Sequence, residues 1–95
     1  QEDYKQAIAF LNESSSLAIN NHNYLILAQN QFQLAQIFVA QKKYQKAEKY
    51  FLLSLEYSKK RNVKKLIAEN YKGLSELYFA QKNNLKAYVT NQGQT

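Results

Sequence analysis

The sequence predicts an all-α chain of five helices arranged as antiparallel hairpins. Three observations predict it. The chain matches itself at an offset of forty residues: Tyr4 with Tyr44, Ala7 with Ala47, Ser14 with Ser54, Ala28-Gln29-Asn30 with Ala68-Glu69-Asn70, Leu34 with Leu74, Ala40-Gln41-Lys42 with Ala80-Gln81-Lys82, and Lys46-Ala47 with Lys86-Ala87. Apolar residues within each period recur at helical spacing. The chain has no proline and only two glycines, Gly73 and Gly93, whereas turn-rich all-β folds need many of both.

The helices run in order along the chain. Residues 3–20 carry Tyr4, Ala7, Leu11 and Ser14, then Leu17 and Ala18. Residues 24–41 carry Leu27, Leu34 and Phe38 on one stripe, with Ala28 and Ile37 beside it. Residues 44–60 repeat the first pattern with Tyr44, Ala47, Phe51, Ser54 and Leu55. Residues 63–81 repeat the second with Ile67, Tyr71, Leu74 and Tyr78 at i, i+4, i+7 and i+11, the period of a buried helical face. Residues 84–92 begin the first pattern again with Leu85, Ala87, Tyr88 and Val89. Turns are expected at Asn20-Asn21-His22-Asn23, Lys42-Lys43, Arg61-Asn62 and Asn83-Asn84. The whole reads as one domain: a partial repeat over 1–21, a full repeat over 24–61, a truncated repeat over 63–92 and a frayed end at 93–95.

This pattern resembles the tetratricopeptide repeat. One match runs Ala28, Leu34, Ala35, Ile37, Phe38, Tyr44, Ala47, Phe51, Ser54 and Leu55; a second runs Ala68, Tyr71, Leu74, Ser75, Leu77, Tyr78 and Ala87. Small residues fall where paired helices must approach closely, at Ala35, Ser75, Ala47, Ala87 and Ser54, and large neighbours fill the grooves beside them. The period departs from the usual one of about 34 residues, no proline ends the second helix, and Asn91 stands at the place of Phe51. The longer repeat is similar to that of bacterial sensor kinases, response-regulator-linked proteins and peptide-sensing transcription factors.

The resemblance implies a right-handed superhelical array that binds a peptide or protein segment along its concave side. Carried onto this sequence, that side comprises Gln29, Phe32, Gln33, Gln36 and Val39 from one hairpin, and Glu69, Lys72, Gly73, Glu76 and Phe79 from the next. Phe32 and Phe79 lie off the buried stripe and suit an apolar anchor, with glutamine amides for a peptide backbone. Glu69 and Glu76 would repel a terminal carboxylate, which excludes the mode by which relatives clamp chaperone tails. The expected role is an interaction module within a larger bacterial regulatory or signalling protein. The alternative is a self-association element in which end helices bearing Leu17, Leu85 and Val89 join copies as a homo-oligomer.

Charge is uneven. Residues 1–41 carry one lysine against three acidic residues, a net −2; residues 42–95 carry twelve basic residues against four glutamates, a net +8. The densest run is Lys59, Lys60, Arg61, Lys64 and Lys65. It suits the end of one helix and a solvated turn better than nucleic acid, since arginine dominates phosphate and base recognition and the chain has one.

Several classes are excluded. With no cysteine and one histidine, His22, there is no expected metal site or disulfide. No glycine-rich phosphate loop or nucleophile motif occurs, so neither a cofactor nor catalysis is expected. Ser14 reads as a small packing position, with Ser15 and Ser16 facing solvent. No apolar run is longer than that of residues 24–28, which falls far short of the roughly 20 residues of a membrane span. Without an initiator methionine or a signal peptide, the chain is expected to be cut from a longer cytoplasmic protein, or from a periplasmic sensor region if the parent is a membrane-bound kinase.

Overall fold

In the computed structural model the backbone is described for residues 4–93 and the side chains for residues 4–82. Four helices account for them: α1 (Tyr4–Asn20), α2 (Tyr24–Ala40), α3 (Tyr44–Arg61) and α4 (Lys64–Gly93). Each packs on the next, and α2 also touches α4. The helices that open successive hairpins, α2 and α4 (first-type), therefore lie side by side, with the helices that close a hairpin, α1 and α3 (second-type), behind them.

The three turns are one motif repeated. Each places a non-glycine residue in the left-handed region: His22 at φ 56°, Lys42 at φ 62° and Asn62 at φ 57°. The amide of the following residue then reaches back to a carbonyl five residues earlier, from Asn23 to Ala18 at 2.8 Å, from Lys43 to Phe38 at 2.8 Å and from Val63 to Ser58 at 2.9 Å. These bonds satisfy carbonyls that a helix end otherwise leaves bare. A left-handed non-glycine residue costs about 1–2 kcal/mol, which the packing of the two flanking helices must offset.

The fifth helix predicted by the sequence is absent among the described residues. The turn expected at Asn83-Asn84 does not form, and α4 runs unbroken to Gly93. The left-handed positions fall every twenty residues, so the next is Lys82. Lys42 turns and Lys82 does not. The difference lies in the segment after each turn: α3 brings Ala47 and Phe51 back onto α2, whereas residues 84–92 have Asn91 in place of Phe51. Folding back would bury little, so the helix keeps its own hydrogen bonds. The side chains of Leu85 and Val89, and the frayed end from Gln94 on, lie outside the described residues.

The core joins all four helices through Leu11, Leu34, Ala35, Phe38, Ala47, Phe51, Leu55, Leu74 and Leu77. Ala28, Ala35 and Ala47 are wholly buried, as the close approach of α2 and α3 requires. The α2 stripe is as expected. The α4 stripe is rotated: Leu66, Asn70, Leu74 and Leu77 are buried, while Tyr71 and Tyr78 are 51% and 44% exposed and Ser75 is exposed. In α2 the matching residues are buried against both neighbours, Gln31 bonding to Ser15 of α1 and Phe38 stacking on Tyr50 of α3; in α4 Tyr71 and Tyr78 meet Lys59 and Glu48 of α3 and otherwise stay exposed.

Polar side chains stitch successive layers at the same forty-residue stride. Asn30 Nδ2 donates to Ser14 Oγ at 2.9 Å, and Asn70 Nδ2 donates to Ser54 Oγ at 2.8 Å. Ser54 Oγ in turn donates to the Ala28 carbonyl at 2.7 Å. Ser15, expected to face solvent, is buried and accepts from Gln31 Nε2 at 3.2 Å. Buried polar groups demand such partners, so these bonds fix the helix register more sharply than apolar contact alone.

Candidate functional site

Because α2 and α4 are adjacent and parallel members of successive hairpins, a cleft of about 520 Å³ opens between them. Its walls are Phe32, Gln36 and Val39 from α2 and Glu69, Lys72, Gly73 and Glu76 from α4. Its floor comes from Tyr44 and Phe51 of α3 together with Leu77. Phe32 sits edge-on to Phe51 with ring centroids 5.9 Å apart, so the floor is a fixed aromatic surface. The rim is polar, with Gln36, Lys72 and Glu76 exposed.

Gly73 sets how closely α4 approaches this floor. A Cβ there would stand 2.6 Å from Phe51 Cε1 and 2.8 Å from Cζ. Phe51 is buried and braced by Phe32, so it has little room to yield. Alanine gains about 1 kcal/mol over glycine in helix propensity, but overpacking a filled site costs about 1–3 kcal/mol. Gly73→Ala is therefore expected to lower, not raise, the melting temperature in a thermal scan, and to tilt Phe51 into the cleft.

Not every residue expected on the concave side lines this cleft. Gln29 and Gln33 are exposed on α2 outside it, and Phe79 is 67% exposed on α4. Phe79 is the forty-residue counterpart of Val39. Val39 edges the cleft toward α4; Phe79 edges the far side of α4, where no further first-type helix stands among the described residues. Tyr44 and Phe51 were legible only as packing residues, yet each also presents an edge to the cleft.

The basic run flanks the turn between α3 and α4. Lys59, Lys60, Arg61, Lys64 and Lys65 are all exposed. The first three occupy the last turn of α3, where positive charge favours the helix dipole. Lys59 Nζ lies 5.6 Å from the Tyr71 ring centroid and Lys60 Nζ 5.5 Å from that of Tyr24, so both also have aromatic partners. Elsewhere Tyr78 donates to Glu48 Oε2 at 2.6 Å, and that bond to a carboxylate raises the phenol pKa above its usual 10.0. No group of three or more potential metal ligands occurs among the described residues. No helix among them is long and apolar enough to cross a membrane.

Hairpins of one stride, small residues at the crossings and a cleft between first-type helices are the geometry of the family that the sequence resembles. The model of that family, the tetratricopeptide repeat, matches residues 1–60, which span α1 to α3. No curated protein and no solved structure matches the chain. With well over half of its length matched, the chain belongs to the tetratricopeptide repeat family.

Proposed function

We propose that this domain is an interaction module of a larger regulatory protein and takes a peptide segment of its partner in the cleft between α2 and α4. Tetratricopeptide repeats generally mediate protein–protein interaction. The observation that carries the finer reading is the cleft itself: an aromatic floor of Tyr44 and Phe51 under a rim of amide and charged groups. Its volume of about 520 Å³ lies in the range of sites that hold a few side chains. The floor suits one bulky apolar side chain. Gln36 offers both an amide donor and an acceptor to a peptide backbone. Glu69 and Glu76 against Lys72 leave the rim with one excess negative charge, which favours a neutral or basic segment over an acidic one.

Peptides selected from a displayed library on the wild-type chain test this. Gln36→Ala combined with Glu76→Ala alters two exposed rim residues and leaves the core intact. The pair is expected to weaken the selected peptides about tenfold or more, since each lost charged or amide contact is worth roughly 1 kcal/mol. Phe79→Ala is expected to change nothing. Peptides that ignore the rim pair but depend on Phe79 would place the site elsewhere.

A further inference from the structure

The charged side chains that line the cleft all stand on one wall. No residue of α2 is charged, whereas α4 contributes Glu69, Lys72 and Glu76. The chain's net charge of +6 is therefore not expressed there. On α3, Lys46, Lys49, Lys59 and Lys60 lie over the rings of Phe38, Tyr50, Tyr71 and Tyr24, and none of these lysines lines the cleft. At physiological salt a charge acts over about 8 Å, so a ligand seated between α2 and α4 meets the carboxylates first.

Those carboxylates bracket the aromatic floor. Glu69 and Glu76 are two helical turns apart on one face of α4, about 10.5 Å from each other along its axis. Gly73 lies between them in sequence, and its backbone presses on the Phe51 ring: a Cβ there would stand 2.6 Å from Phe51 Cε1. The ring therefore sits at a level between the two glutamates. Lys72 does not occupy that position. It projects about 100° around the helix from Gly73 and is exposed, whereas Gly73 and Glu69 are half-buried.

We propose that the cleft selects an extended segment with a bulky apolar residue at its centre and a lysine or arginine two positions to either side. This rests on the reading of the cleft as a peptide site and adds the sequence that the site prefers. In an extended chain alternate side chains point the same way, about 7 Å apart. The central side chain rests on Phe51 and Phe32. Its two same-face neighbours then fall near the levels of Glu69 and Glu76, and the long stems of basic side chains take up the remaining distance. An extended segment also leaves its backbone donors and acceptors free for the Gln36 amide, whereas a helix satisfies its own. An acidic segment would set like charges against both glutamates.

A short randomised peptide library, displayed on phage and selected in parallel on three chains, tests the pattern. The chains are the wild type, Glu69→Gln combined with Glu76→Gln, and Glu76→Lys, each checked for folding by far-UV circular dichroism. Wild-type selection is expected to enrich basic residues at both second neighbours of a central apolar one. Fluorescence anisotropy on one labelled, selected peptide is expected to show a loss of about two- to fivefold in affinity for each basic residue changed to glutamine, as for a partly exposed ion pair. The same peptide changes are expected to cost nothing on the chain with both glutamates changed. Glu76→Lys is expected to exchange basic for acidic at one flank and leave the other alone. Peptides that depend on Gln36 but lack basic flanks, flanks that persist when both glutamates are changed, or basic residues one helical heptad apart overturn the pattern while leaving the cleft as the peptide site. A library that yields no binder, or binders indifferent to Gln36, Glu69 and Glu76 alike, overturns the pattern and the cleft reading together.

Discussion

Phe51→Ala is expected to be the most damaging single substitution in the described part of the chain. Phe51 is 3% exposed, closes the core between α2 and α4, braces Phe32 and forms the floor of the cleft. Truncating a buried phenylalanine costs about 3–5 kcal/mol, through lost burial and the cavity left behind. A domain of this size has a total stability near the low end of about 5–15 kcal/mol, so the variant is expected to be largely unfolded at physiological temperature. Urea titration followed by circular dichroism measures the loss. A midpoint within experimental error of the wild type would mean that α4 does not pack on α3 as described. Where the variant can be kept folded at low temperature, peptide binding in the cleft is expected to fall with it.

The second large effect is a contrast between repeat mates. Ala28 and Ala68 sit in nearly the same local sequence, Ala-Gln-Asn and Ala-Glu-Asn. Ala28 is wholly buried beneath Ser54, whereas Ala68 is exposed. Ala28→Leu forces a larger side chain between two helices in contact and is expected to cost about 1–3 kcal/mol or more. Ala68→Leu, measured on dilute protein, is expected to fall within about 0.5 kcal/mol of the wild type, as exposed substitutions do. Equal penalties at the two positions would show that something covers α4 as α3 covers α2.

Most of the architecture was legible because packing follows the sequence repeat from α1 to α3. Ala7, Ala47, Leu34 and Leu74 recur in register, and one stride explains α1 to α3. The missing turn was not legible from turn residues, since Lys42 and Lys82 are identical and only Lys42 turns. What decides the matter is the apolar surface that the next helix brings back, and there Asn91 replaces Phe51. The rotated stripe on α4 has the same origin: Tyr71 and Tyr78 keep the residue types of a buried face, but among the described residues no helix follows α4 to bury them.

The polar stitches were half visible. Asn30 and Asn70 matched at the expected stride, and so did Ser14 and Ser54, but each asparagine and the serine it bonds are sixteen residues apart on different helices. Comparing the chain with itself shows which residues recur, not which ones touch. An asparagine that recurs inside an otherwise apolar stripe was the available signal that it had a fixed partner. The cleft floor was hidden for a related reason. Tyr44 and Phe51 bury one side and expose an edge, and residue type alone does not separate the two.

The stride itself is tested most directly by nuclear Overhauser contacts from the asparagine side-chain amides. The Asn30 amide protons are expected to show contacts to the Ser14 side chain, and the Asn70 amide protons the matching contacts to Ser54. Both sets present together mean that one layer is laid on the next by the same step. If one set appears without the other, or if either asparagine contacts a different helix, the array does not repeat and the cleft between α2 and α4 goes with it.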